Sequence, residues 1–186
     1  IVAELKLAGY SPEAQDVLQC STETRAPGCT AVDNIIAVHK GTTGTTGTTG
    51  TTETTETTGI GDGKAVLVSA HYDSVPAGPG VADDGVGVAV VLELARKFAG
   101  KSTRNDVIFL ISDGEESGLR GARAFAERHP LMRRVGVLVN FDARGASGPQ
   151  SPGGMGCWGV VLGALWGGPL TARVSSPAAA GAGVAG

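Results

Sequence analysis

The chain has 186 residues, 41% of them hydrophobic, enough for one domain with its own core. Fifteen Lys and Arg stand against 18 Asp and Glu, and this near balance gives no electrostatic reason to expect nucleic acid or an anionic membrane as partner. No apolar stretch reaches the roughly 18 residues of a membrane span, and no signal-peptide pattern opens the sequence at Ile1, where trimmed targeting segments stay open.

Residues 1–9 read as the end of an amphipathic helix closed by Gly9. Gln15 to Cys20 is a weak strand, and Thr30 to His39 a stronger one carrying Val32, Ile35, Ile36 and Val38. Cys20 and Cys29 end and begin these strands, with Pro27 and Gly28 in the turn between. They close a small disulfide loop, implying a secreted, periplasmic or lumenal setting, or they are two free thiols beside a turn. Residues 41–59 are a period-three Gly/Thr tract drifting to Glu-Thr-Thr. With no apolar residue to bury, the tract predicts a disordered loop inserted between two strands.

Ala65 to Ala70 is an apolar run, the pattern of a strand buried on both faces. Gly85 to Ala99 is a helix with Val88, Val91, Leu92, Ala95 and Phe98 on one face. Asp106 to Ser112 is a second buried strand, Ser117 to Arg128 a second helix, and Val135 to Phe141 a third buried strand. This alternation predicts an α/β three-layer sandwich with a mixed, mainly parallel sheet, whose functional residues sit at the carboxyl ends of the strands. Residues 150–186 are rich in Gly, Ala, Ser and Pro and read as an irregular, loosely packed tail, so the domain is placed at 1–149.

Ionisable residues gather at those strand ends. The first strand runs into His71 and Asp73, the second into Asp113, Glu115 and Glu116, and the third into Asn140 and Asp142. Asp83 and Asp84 precede the first long helix. Any one of them could be a helix cap or a solvated turn, and Asp84 before Gly85 suits a cap. Acids at three strand ends together with a histidine point instead to a divalent-metal site. Two such ions sharing a carboxylate polarise one water between them. In Glu115-Glu116 one carboxylate can ligate while its neighbour takes a proton from that water.

The strings His71-Tyr72-Asp73, Gly80-Val81-Ala82-Asp83-Asp84-Gly85-Val86-Gly87, Asp113-Gly114-Glu115-Glu116-Ser117-Gly118-Leu119 and Asn140-Phe141-Asp142 resemble the M28 family of di-zinc exopeptidases. Within it they are most similar to the endoplasmic-reticulum and vacuolar membrane metallopeptidases and their bacterial relatives. The resemblance covers residues 1–149. It implies a zinc-exopeptidase-like fold, two Zn2+ per complete site, a peptide substrate and removal of an amino-terminal residue by a metal-activated water. By position it makes His71 and Asp142 ligands of one zinc, Asp83 the bridge, Glu116 a ligand of the other zinc, Glu115 the general base and Asp73 the residue that orients His71. Asp83 is preferred to Asp84 because the family's glycine four residues after the bridge matches Gly87.

The family also places a histidine well downstream on the second zinc. His39 lies upstream and His129 ends a helix before Pro130, so neither matches it. The sequence after Pro149 no longer resembles the family, and a truncated or frame-shifted copy, incomplete at the C-terminus, is expected. A catalytically degenerate, metal-poor binding module is therefore the alternative function. A second alternative is an M20-type metallopeptidase, which His71-Tyr72-Asp73-Ser74-Val75-Pro76 also resembles, although there the bridging Asp comes much later. A nucleotide loop at Gly85-Val86-Gly87 is excluded by its distance from the strand and a missing third glycine. Arg144, just past Asp142, can grip a substrate carboxylate or pair with a structural Asp. Oligomeric state is not readable.

Overall fold

The computed structural model describes residues 1–22, 27–42 and 64–142, together with the backbone of two further strands at 161–164 and 172–173. Most of the Gly/Thr tract, Arg144 and Cys157 lie outside the described residues.

The period-two and period-3.6 patterns set up three layers. Strand β4 (Val107–Ser112) is buried along its whole length. Its alternate residues serve two cores: Val107, Phe109 and Ile111 face one side, and Ile108 and Leu110 the other. The first core is closed by helix α1 (Val2–Leu7) and helix α2 (Val86–Phe98), which contribute Leu5, Val88, Val91 and Ala95. The second is closed by helix α3 (Arg120–Arg128) through Phe125, with Leu131 and Met132 of the 3-10 turn Pro130–Arg134 packed against it. Phe109 is wholly buried, edge-on to Tyr10 at 5.7 Å and tilted against Phe98 at 6.3 Å.

The other strands are β1 (Glu13–Ser21), β2 (Gly28–His39), β3 (Ala65–His71), β5 (Val135–Asn140), β6 (Val161–Ala164) and β7 (Ala172–Arg173). They join β4 in one mixed sheet ordered β1-β2-β4-β3-β5-β6-β7. The parallel pairings are β3 with β4 and with β5 at the centre; the flanking strands pair antiparallel. β6 and β7 continue the sheet inside the stretch whose composition predicts an irregular tail.

Cys20 and Cys29 are directly opposed in the β1–β2 register, their Cα atoms 3.9 Å apart, and are joined by a disulfide. Gly9, at φ +89°, closes α1 as expected, with the Tyr10 and Gly9 amides returning to the Leu5 and Lys6 carbonyls. α3 begins three residues later than its apolar pattern suggests. Gly118 and Leu119 adopt positive φ (100° and 58°), which holds Ser117–Leu119 in a turn.

Candidate metal centre

β3 and β4 run in register, with His71 beside Ser112, so both end at the same sheet edge. β5 ends there too: the Phe141 amide donates to the Ser69 carbonyl (2.8 Å) and the Ser69 hydroxyl to Asn140 Oδ1 (2.6 Å). Asp142 follows directly.

His71 is the buried member, 3% exposed. Its Nδ1 lies 3.0 Å from the Asp73 carbonyl and 3.4 Å from Asp73 Oδ1. Nε2 points the other way, 3.1 Å from Asp83 Oδ1 and 3.7 Å from Asp142 Oδ1. Burial works against a charged ring, but the hydrogen bond to Asp142 and the charges of Glu115, Asp73 and Asp84 outweigh it and push the pKa up to about 10. Nε2 thus faces two carboxylates that favour a proton on the ring. Those three ligand atoms lie within 4.8 Å of one another. Imidazole nitrogen with carboxylate oxygen, gathered this closely, suits one zinc-type ion.

Asp83 and Asp84 lie in an irregular turn, Val81–Gly85, and are joined by a cis peptide. They divide the work. Asp84, 1% exposed, accepts from the Gly87 amide (3.0 Å) and the His71 amide (3.3 Å), tying α2 to β3. Burial raises its pKa to about 6, against the lowering effect of those amides and of His71. Asp83 is half exposed and faces His71. Gly87 is required here, because a Cβ on it would stand 2.2 Å from Asp84 Oδ1.

Asp73 does more than flank His71. Its two carboxylate oxygens accept the amides of Glu115 (2.9 Å) and Glu116 (3.1 Å), which fixes that dipeptide to the end of β3. Glu115 is half-buried. Burial raises its pKa, the charge of His71 lowers it, and Asp142, Glu116 and Asp73 raise it further. The Glu116 side chain is exposed and is not among the gathered ligand atoms. Asp113 accepts from the Asp33 amide and donates its own amide to Asn34 Oδ1, a brace between β2 and the strand end.

The other two histidines are elsewhere. His39 pairs with Val107 at the start of β4, five residues and roughly 17 Å of strand from the end where His71 sits. Its ring lies 5.7 Å from Phe98 and 6.2 Å from Tyr10. His129 stacks on Phe125 at 4.9 Å, accepts from the Leu131 amide and lies 3.3 Å from Glu13.

Two contributors escape a search for strand-end acids. Buried Asn34 binds Gln15, Gly121 and the Asp113 amide at once, and Arg120 is also buried. Arg120 had a visible signal: it precedes Ala124 and Phe125 by four and five residues, on the core face of α3.

The sequence pattern of Peptidase family M28 matches residues 50–155, more than half of the chain. The chain belongs to peptidase family M28. Among curated relatives, this M28 chain is 37% identical over 154 residues to a vacuolar membrane protease of Phaeosphaeria nodorum, covering 80% of the chain and 16% of that protein. It is 48% identical over 84 residues to a vacuolar membrane protease of Candida albicans, covering 45% of the chain and 10% of the relative. The M28 chain thus spans about a tenth to a sixth of the length of these relatives. Its fold resembles that of a Zn-dependent exopeptidase from Parabacteroides distasonis (TM-score 0.57, 20% identity, 78% of this chain and 52% of that one). It equally resembles Porphyromonas gingivalis glutaminyl cyclase (TM-score 0.57, 23% identity, 79% and 49%). A zinc aminopeptidase from Bacillus subtilis matches at TM-score 0.50 and 27% identity over 67% of this chain and 28% of that one.

Proposed function

We propose that residues 1–149 form a zinc-dependent exopeptidase unit that hydrolyses the amino-terminal bond of a peptide. One observation carries this reading: His71 Nε2, Asp83 and Asp142 converge within 4.8 Å, while Asp73 ties half-buried Glu115 to the strand that presents His71. His71, Asp83 and Asp142 would hold zinc, with Asp83 as the shared ligand and Glu116 serving a second ion in a complete two-zinc site. Zinc there would polarise the scissile carbonyl and acidify a water.

The chain's own residues do the rest. Asp73 holds His71 by its backbone carbonyl and holds the Glu115 amide by its carboxylate, so ligand and base share one support. Glu115 takes a proton from the attacking water and passes it to the leaving amine. Burial favours its protonated form, which suits the second half of that task. The disulfide and the vacuolar relatives support an extracytoplasmic setting, lumenal or secreted.

Glu115→Gln should keep zinc and lower turnover of an aminoacyl amide by about 100- to 10,000-fold. Substantial activity in that variant would sink the base assignment. A second reading, a metal-poor peptidase-like binding module, draws on the placement of His39 and His129 away from the gathered ligands. One zinc or less per chain with no turnover would favour it.

A further inference from the structure

We propose that Arg120 is a positioning residue for Glu115, a buried cation that fixes the turn carrying the base; the functional part of this inference rests on the reading of Glu115 given above.

Arg120 is the largest of the fully buried side chains, at 2% exposure. A guanidinium in the interior forfeits its hydration and is costly unless its donors are met, and an apolar residue on this face of α3 would avoid that cost. Two of its hydrogen bonds fall on one short turn. The guanidinium Nε donates to the Ser117 carbonyl (3.0 Å), just after Glu115-Glu116, while the Arg120 backbone amide, which any residue here would supply, donates to the Gly114 carbonyl (2.9 Å) just before them. Asp73 holds the amides between them. The dipeptide is thus held on its amides by an anion at the end of β3 and, through the Ser117 carbonyl that follows it, by a cation on α3.

The far side of the clamp is anchored as well. Nη1 donates to the Gly28 carbonyl (3.1 Å), next to Cys29, whose disulfide locks β2 to β1. The guanidinium is therefore braced against a covalently closed hairpin. Gly114, at φ +63°, lets the turn lie directly on the arginine stem: a Cβ there would be 3.2 Å from Arg120 Cβ and 3.1 Å from Val32. The fork of donors is what reaches two carbonyls in different elements, and a lysine ammonium meets only one of them at a time.

The test compares zinc-loaded wild type with Arg120→Met, Arg120→Lys and Phe125→Leu. Phe125→Leu loosens the same helix face without touching the turn. Two readouts are taken: kcat and KM on an aminoacyl amide, and hydrogen exchange at the Glu115 and Glu116 amides. Arg120→Met should lower kcat about 10- to 100-fold with KM within about twofold, as a displaced catalytic group does. It should also speed exchange at both amides while leaving residues 107–112 protected. Arg120→Lys should fall between, and if Arg120→Met does not fold, Arg120→Lys carries the test alone. Unchanged kcat and exchange, or an equal kcat loss in Phe125→Leu, would overturn the positioning role. Were the wild type inactive, exchange would still decide whether Arg120 holds the turn, while the general-base reading would fail separately.

Discussion

The two edges of the parallel strands carry similar residue types and opposite charge economies. At the amino edge, Asp106 accepts the Gly41 amide (2.7 Å) and is paired with Arg134 and Lys40. Burial resists its ionisation, but these partners outweigh burial and hold its pKa below the usual carboxylate range. His39 there is enclosed by aromatic rings. At the carboxyl edge, Asp73, Asp83, Asp84, Glu115 and Asp142 surround a single imidazole among the described residues. One edge is neutralised by its own side chains, and the other leaves negative charge for a cation to neutralise. Ionisable residues at a sheet edge do not by themselves make a site; the proposed zinc centre rests on their converging uncompensated on one point.

Four experiments would break or sharpen that contrast. Asp83→Asn has the largest expected effect, loss of stoichiometric zinc in dialysed protein measured by elemental analysis; full occupancy would refute its place in the centre. Next is pH. The acids around His71 push its pKa from 6.5 up to about 10, so zinc bound there would displace a proton. Affinity should rise about tenfold per pH unit between roughly 7 and 9 with release of about one proton, read by calorimetry in buffers of different ionisation heat. A flat profile would contradict it. The sign for folding is opposite: protonated His71 stabilises the metal-free fold fully below 6.5, and that contribution is lost as pH rises through about 10.

Gly87→Ala should come third. Its new methyl displaces Asp84, and zinc affinity should fall about tenfold, as when an outer hydrogen-bond partner of a ligand is disturbed. Wild-type affinity there would show that Asp84 does not support the centre. Asp106→Asn should change zinc binding least. Unfolding in urea should show a loss on the order of 1–3 kcal/mol with occupancy unchanged. Lost zinc in that variant would mean the two edges are coupled.

Much of this was readable from the chain. Short apolar runs rich in β-branched residues, such as Val107–Ser112, read as strands between two layers, and their ends give the edge that receives His71, Glu115 and Asp142. Roles that depend on where a backbone turns were less legible. Asp83 and Asp84 are chemically identical neighbours, and the Val81–Gly85 turn decides which is buried against the Gly87 amide and which faces the histidine. The hold of Asp73 on two amides 42 and 43 residues away depends on the β3–β4 register. Strands β6 and β7 have little apolar periodicity and take their place through pairing along β5 and β6.

The graded exposure of the three gathered ligands sets a direction of travel. His71 is 3% exposed, Asp142 39% and Asp83 54%. In the proposed centre a zinc ion from solvent would meet the two carboxylates before the imidazole. Its capture would then be steered by charge and slowed by added salt, while its release would wait on the innermost ligand. A chelator would compete first at the carboxylates.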